Sequence, residues 1–245
     1  VIALALAVVA LLYASVGHAG ASGYIAVLAL AGLPVAQIRP LALLLNTGVA
    51  ALGCWTFLRA GHWPGRRFWP LYALALPAAF LGGRLDLPAF WLGRLLGLVL
   101  LASAWRLLRQ VQDPAALRGA GGLVLAAVGA VLGLLAGLTG TGGGVFLSPI
   151  LLIGRFCTTR QAAAVAALFI LLNSLAGLAG QVIARPADLV AVFRPQLWLW
   201  LAAVWAAGAL GSHLGSRRLP VAWIRRCLAL VLMLAGSRLL LFGVG

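Results

Sequence analysis

The sequence predicts an all-α, polytopic membrane protein built from two inverted-topology repeats. Each repeat is expected to hold a glycine-broken or re-entrant helical pair followed by three transmembrane helices. Three observations carry this: the composition, two long uncharged stretches interrupted by glycine, and rare residues that match between the halves. Apolar residues fill 64% of the 245 positions and charged residues only 9%, against roughly 25% charged in a soluble domain. A soluble fold of this size cannot hide that much apolar surface, because much of any fold stays exposed. The solvent for this chain is lipid. No charged leader or small-residue cleavage site precedes the first apolar segment, so that segment is expected to be retained.

The net charge of +15 comes from 18 positive residues, all of them arginine, with no lysine or glutamate in the chain. They stand singly or in pairs at the ends of apolar segments. That is where membrane proteins keep cationic anchors, and it argues against a nucleic-acid partner. Anionic lipid head groups suit such a surface. Cys54, Cys157 and Cys227 are isolated, so neither a disulfide framework nor a metal site is indicated, and no cofactor is expected.

From Val1 to Ile38, and again from Gly119 to Gly154, no charged residue occurs. A hydrocarbon core takes about 20 helical residues, so each stretch is too long for one upright span. Glycines interrupt both, at Gly17 to Gly23 and at Gly140 to Gly144. Two helical pieces joined by a turn inside the membrane follow. The second pieces, about 22–33 and 145–154, are too short to cross. Ordinary spans are expected at about 40–58, 68–84 and 88–108, then at about 161–184, 195–216 and 220–242. The polar run from Arg109 to Arg118 separates the sets, giving a first membrane repeat at 1–109, a cytoplasmic linker at 110–120 and a second repeat at 121–245.

Matched residues support the duplication. At one offset Leu87-Pro88 falls on Leu219-Pro220, Trp91 on Trp223, Arg94 on Arg226 and Arg106 on Arg238. At slightly smaller offsets Gly17 and Gly20 fall on Gly140 and Gly143, and Asn46 on Asn173. Arginine asymmetry orients the chain. With the linker cytoplasmic and an odd number of crossings per half, the groups around Arg59, Arg66 and Arg67, around Arg155 and Arg160, and around Arg217, Arg218, Arg225 and Arg226 all lie inside. An even number would put the strongest cluster outside. The halves are therefore expected to be inverted.

Inverted repeats with interrupted helices place a binding site near the midplane, between the halves. A helix that starts inside the membrane offers free N–H groups and a partial positive charge, which suit an anion. The candidate substrate-binding residues are His18, Gly20, Ser22 and Gly23 at the first break, Thr141, Gly142, Gly143 and Gly144 at the second, and the matched amides Asn46 and Asn173. The packing alternative for the small residues is close helix approach. Arg39 and Arg160, near the starts of the following spans, are either vestibule residues that draw anions in or plain interfacial anchors. Arg106 and Arg238 read as snorkelling side chains. Asp86, Asp113 and Asp188 all fall in loops, which leaves His18 and His213 as buried candidates for proton coupling.

The run Gly140-Thr-Gly-Gly-Gly-Val-Phe-Leu-Ser-Pro149, with Asn173-Ser174 further on, resembles the TauE/SafE family of sulfite exporters, also called the toluene sulfonate uptake permease family. The likeness covers nearly the whole chain. In the first half Ala19, Ala21, Ser22 and Gly23 break the triple glycine, and Ala26 stands where the motif has proline. The resemblance implies a secondary transporter in the bacterial cell inner membrane that exports sulfite, sulfoacetate or related anions, and it leaves room for a homodimer. Each charge moved across about 100 mV is worth about 2.3 kcal/mol, so a dianion gains roughly 4.6 kcal/mol by leaving the cell without a coupling ion. The rival readings are an anion-selective passive channel, an importer of a small organic anion, and an intramembrane protease. The protease rests on the match of Gly20-Ala-Ser-Gly23 to the rhomboid pattern. It lacks a base at any dependable distance from Ser22, and no enzyme is expected.

Overall fold

The computed structural model describes residues 1–15, 18–63, 65–85, 87–108, 116–215 and 221–241, and every regular element among them is helical. Gly17, Asp86, Asp113 and most of the linker, which the sequence brought into play, lie outside the described residues. The helices are α1 (Ile2–Ser15), α2 (Ala21–Leu30), α3 (Val35–Arg59), α4 (Trp69–Arg84), α5 (Ala89–Leu108), α6 (Gly122–Thr139), α7 (Gly144–Ile153), α8 (Thr159–Ala184), α9 (Pro186–Val190), α10 (Pro195–Gly215) and α11 (Val221–Leu241). Among the described residues four helices are long and apolar enough to cross a membrane: Ala36–Arg59, Ala89–Arg106, Gly122–Thr139 and Thr159–Ala184. Leu4, Trp91, Leu123, Trp198 and Leu199 are all more than half exposed on the outside of the bundle. This is an all-α, multi-span protein dressed for lipid.

Both glycine-interrupted stretches are hairpins. Gly23 of α2 lies against Val9 and Tyr13 of α1, close enough that a Cβ there would sit 2.8 Å from the Tyr13 ring. His18 donates its backbone N–H to Tyr13 O at 2.9 Å, so the chain doubles back at once after α1. In the second stretch Gly143 lies against Leu132 and Ala136 of α6. Arg118, before α6, donates its backbone N–H to Arg155 O, after α7, at 2.8 Å. The second hairpin therefore returns to the end of the bundle it came from. Length explains this: α2 and α7 have 10 residues each, about 15 Å of helix, half of a bilayer core.

The remaining helices pack in matched couples. α4 lies on α6 and α1 on α10; α3 lies on α10 and α8 on α4; α2 lies on α11 and α7 on α5. α3 with α8 and α5 with α11 pair across the centre. Exchanging α1 to α5 for α6, α7, α8, α10 and α11 in order maps each contact onto another in the set.

The seam between α4 and α6 is built on glycine. Gly129, Gly133 and Gly137 stand a helical turn apart on α6 and touch the backbone of Leu71, Ala75 and Ala79 on α4, where a methyl group would collide with each carbonyl oxygen. Small residues let helix backbones approach in lipid, where van der Waals packing replaces the hydrophobic drive. Sequence patterning assigns glycine to the chain breaks and misses this seam. It also misses α9, which Pro186 starts and Asp188 supports from the first turn.

Candidate functional site

Gly20, Gly140, Gly142 and Gly143 hold left-handed φ angles of 95°, 76°, 67° and 75°, which side-chain-bearing residues rarely adopt. These four build the hairpin tips. Each tip starts a short helix with no side-chain cap: Gly20 before α2 and Gly143 before α7. By contrast α8, which starts at the bundle end, has a full capping box between Thr158 and Gln161. The first turns of α2 and α7 are nevertheless buried, at Ala21, Ser22 and Gly23 and at Gly144 and Val145. Uncapped helix starts in a low-dielectric interior carry concentrated partial positive charge.

The first tip opens into a cavity of about 470 Å³ lined by His18 and Ala19, by Val49, Gly53 and Thr56 of α3, by His62 and Arg160 at its mouth, and by Ala167 and Ile170 of α8. The second tip lies against the far side of Ile170: a Cβ on Gly142 would be 3.0 Å from Ile170 Cγ2, 2.6 Å from Asn46 Nδ2 and 3.2 Å from Ser174 Oγ. Ile170 is thus the partition between the cavity and the second tip. Asn46 is 1% exposed. It donates from Nδ2 to Ser174 Oγ at 3.1 Å, and its Oδ1 has no hydrogen-bond partner among the described residues. Asn173 is fully buried, with neither amide atom bonded among those residues. Polar atoms left unpaired in an apolar interior are costly, and these cluster where α3 and α8 meet.

Other expected residues make contacts of their own. Ser22 Oγ shares a hydrogen bond with Tyr13 OH at 2.9 Å, and Tyr24 OH donates to Ala19 O at 2.7 Å. Two buried tyrosines therefore brace the first tip. Thr141 is buried and shares a bond with Thr139 Oγ1 at 2.9 Å. Arg160 is exposed at the cavity mouth. Arg39, expected either as a vestibule residue or as an interfacial anchor, is buried instead of open. It is 2% exposed, and Nη2 donates to Gly82 O at 3.2 Å and Gly137 O at 3.1 Å. Both acceptors lie in the last turns of α4 and α6, where helix carbonyls lack intrahelical partners. Arg238 likewise does more than snorkel, donating from Nη1 to Ala29 O at 3.1 Å and Leu30 O at 2.8 Å at the end of α2.

Tyr13, Tyr24, His62, Ile170 and Trp205 are not singled out by sequence. Trp205 Nε1 donates to Leu45 O at 3.3 Å, fixing α10 beside Asn46. A tyrosine inside an apolar stretch and a histidine at a span end are visible signals; Ile170 has none.

The family model described as "Sulfite exporter TauE/SafE" matches residues 2–239. A relative from Sinorhizobium fredii, named "Probable membrane transporter protein y4hK", is 42% identical over 244 residues, covering 98% of this chain and 97% of the relative. No solved structure matches the chain.

Proposed function

The chain belongs to the sulfite exporter TauE/SafE family as a multi-span transporter of the bacterial inner membrane, not an enzyme, and on that premise we propose that it exports small sulfur-containing anions such as sulfite, sulfoacetate or related sulfonates. The observation that carries this reading is the pair of buried, uncapped helix starts near the α3–α8 crossing, where the Asn46 amide oxygen and both Asn173 amide atoms have no hydrogen-bond partner among the described residues. An oxyanion is the ligand whose oxygens match N–H donors and helix dipoles without a full protein charge.

Asn46 is suited to a part in that binding. Turning its amide by half a turn lets the Ser174 hydroxyl donate to Oδ1 and frees Nδ2 for the anion. His18 and Gly20 with the N–H groups at Ser22 and Gly23 supply the first tip, and Thr141 to Gly144 the second. Asn173 lines the crossing from α8. Arg160 raises the local anion concentration at the mouth.

The matched helix couples support two inverted repeats, 1–109 and 121–245, joined by a cytoplasmic linker at 110–120. Hairpin returns leave three crossings per half, which is odd, so the arginine-rich ends all fall on the cytoplasmic side. The cavity mouth with Arg160 and His62 is then cytoplasmic, the side from which an exporter loads. Membrane potential drives the anion outward. Proteoliposomes with an imposed potential test the proposal: saturable, potential-dependent flux of sulfite or sulfoacetate, retained when the proton gradient is collapsed, is expected. Unsaturable conductance would favour a channel, and no sulfur-anion flux would refute the reading.

A further inference from the structure

The large cavity has a small counterpart at the other end of the bundle. Under the exchange of halves that relates the helix couples, its walls on α3 and α8 map onto a cleft of only about 10 Å³ lined by Ala36, Arg39, Pro40, Gln181, Arg185 and Asp188. The cavity of about 470 Å³ opens at the end that carries Arg160. One path is open and its counterpart is shut.

Several contacts shut it. Gly177 and Gly180 of α8 press directly on Gly137, Gly83 and Phe80 of α6 and α4, leaving no room for a side chain between them. Arg185 holds Asp188 at 3.7 Å and donates to Leu85 O at 3.2 Å across the same gap. Arg39 bonds the carbonyls of Gly82 and Gly137, so one guanidinium ties α3 to the ends of both α4 and α6. Gly140 of the second tip lies on the Arg39 backbone, with a Cβ there 3.0 Å from Arg39 O. The residue that closes the path therefore touches the tip assigned to substrate.

We infer that Arg39 is the latch of the closed exit, and that its guanidinium passes from the Gly82 and Gly137 carbonyls to the anion when the exit opens. This rests on the transport function proposed for the two-tip site and names a step within it. The chemistry is an exchange of acceptors. A guanidinium held by two neutral carbonyls at helix C-termini is bound by partial charges; an anion offers a full negative charge and oxygens that accept from the same N–H donors. Helix α3 carries Arg39 near its start and Asn46 two turns on, so an anion leaving the α3–α8 crossing meets Arg39 next on the same helix. The buried amide nitrogen of Gln181, which has no hydrogen-bond partner among the described residues, faces this cleft as a further donor.

Thiol accessibility tests the latch without needing turnover. In a background with Cys54, Cys157 and Cys227 replaced by alanine, Gln181→Cys reports on the closed cleft and Ala167→Cys on the open cavity. With Arg39 intact, Ala167→Cys reacts quickly with a bulky hydrophilic maleimide and Gln181→Cys slowly. Arg39→Gln is expected to speed the Gln181→Cys reaction at least about tenfold, because the closed state loses what favours it. An unchanged rate in a monodisperse protein overturns the latch. Should Arg39→Gln fail to fold, sulfoacetate added to the Arg39-intact reporters decides the matter instead: faster labelling at Gln181→Cys supports the latch, and no change at saturating sulfoacetate overturns it. Altered labelling with no flux of any sulfur anion would refute the sulfur-anion substrate while leaving the latch standing for another anion. Flux with unaltered labelling removes the latch alone.

Discussion

Asn46 and Ser174, 128 residues apart in sequence, are joined by a 3.1 Å hydrogen bond from the amide Nδ2 to the hydroxyl Oγ, and a Cβ added at Gly142 would fall 2.6 Å from that same nitrogen. One bond thus links α3 to α8 at the point where the second hairpin tip ends. Asn46→Ala removes the link and the donor proposed for substrate. A hydrogen bond to a charged group is worth about 1.5–3 kcal/mol, so transport efficiency in proteoliposomes should fall about ten- to a hundredfold. Asn46→Asp should do worse, because a carboxylate in the anion path repels the cargo.

Gly142→Ala combines a φ of 67° with the clash on Asn46. The expected outcome is a loss of about 1–3 kcal/mol of stability together with most of the flux, measured by thermal unfolding in detergent and by transport. Gly119→Ala, where no atom lies within 4 Å of the new Cβ and φ is ordinary, should behave like the unaltered protein.

Gly133→Ala tests the α4–α6 seam. Its methyl group meets the Ala75 carbonyl, and the backbones must separate. Overpacking of this kind costs about 1–3 kcal/mol, so the midpoint of thermal unfolding should drop by several degrees. Gly133→Leu should prevent stable insertion, read as loss of monodisperse protein in size-exclusion chromatography.

Arg160→Ala should raise the half-saturating concentration of a sulfur anion while leaving the maximal rate nearly intact. Arg160 lines the cavity, and the proposed function has it steer the anion and not bind it. Arg160→Lys should restore the value, and added salt should weaken the effect, since screening acts within about 10 Å at 0.1 M ionic strength.

The membrane class, the helix boundaries and the two breaks were legible because hydropathy and glycine act locally: Gly20 and Gly143 mark the tips by their need for left-handed φ. The asymmetric packing was not. Gly129, Gly133 and Gly137 look like any small residues until α4 is beside them. Arg39 reads as an anchor because sequence shows its charge but not the Gly82 and Gly137 carbonyls that the fold brings to it. The sequence pairs Asn46 with Asn173 through the repeat it predicts. The nearness of Asn46 to Gly142 and Ser174 depends on how α8 crosses α3, which no local pattern states. Ile170, an ordinary apolar residue in an apolar helix, gave no sign that it separates the cavity from the second tip.

Selenite, a heavier analogue of sulfite, allows the anion to be located directly. Crystals of the protein grown with selenite should show a selenium anomalous peak at the α3–α8 crossing, within hydrogen-bond reach of Asn46 and the first backbone N–H groups of α7 or α2. A peak confined to surface arginines, in a preparation that transports sulfite, would contradict the two-tip site.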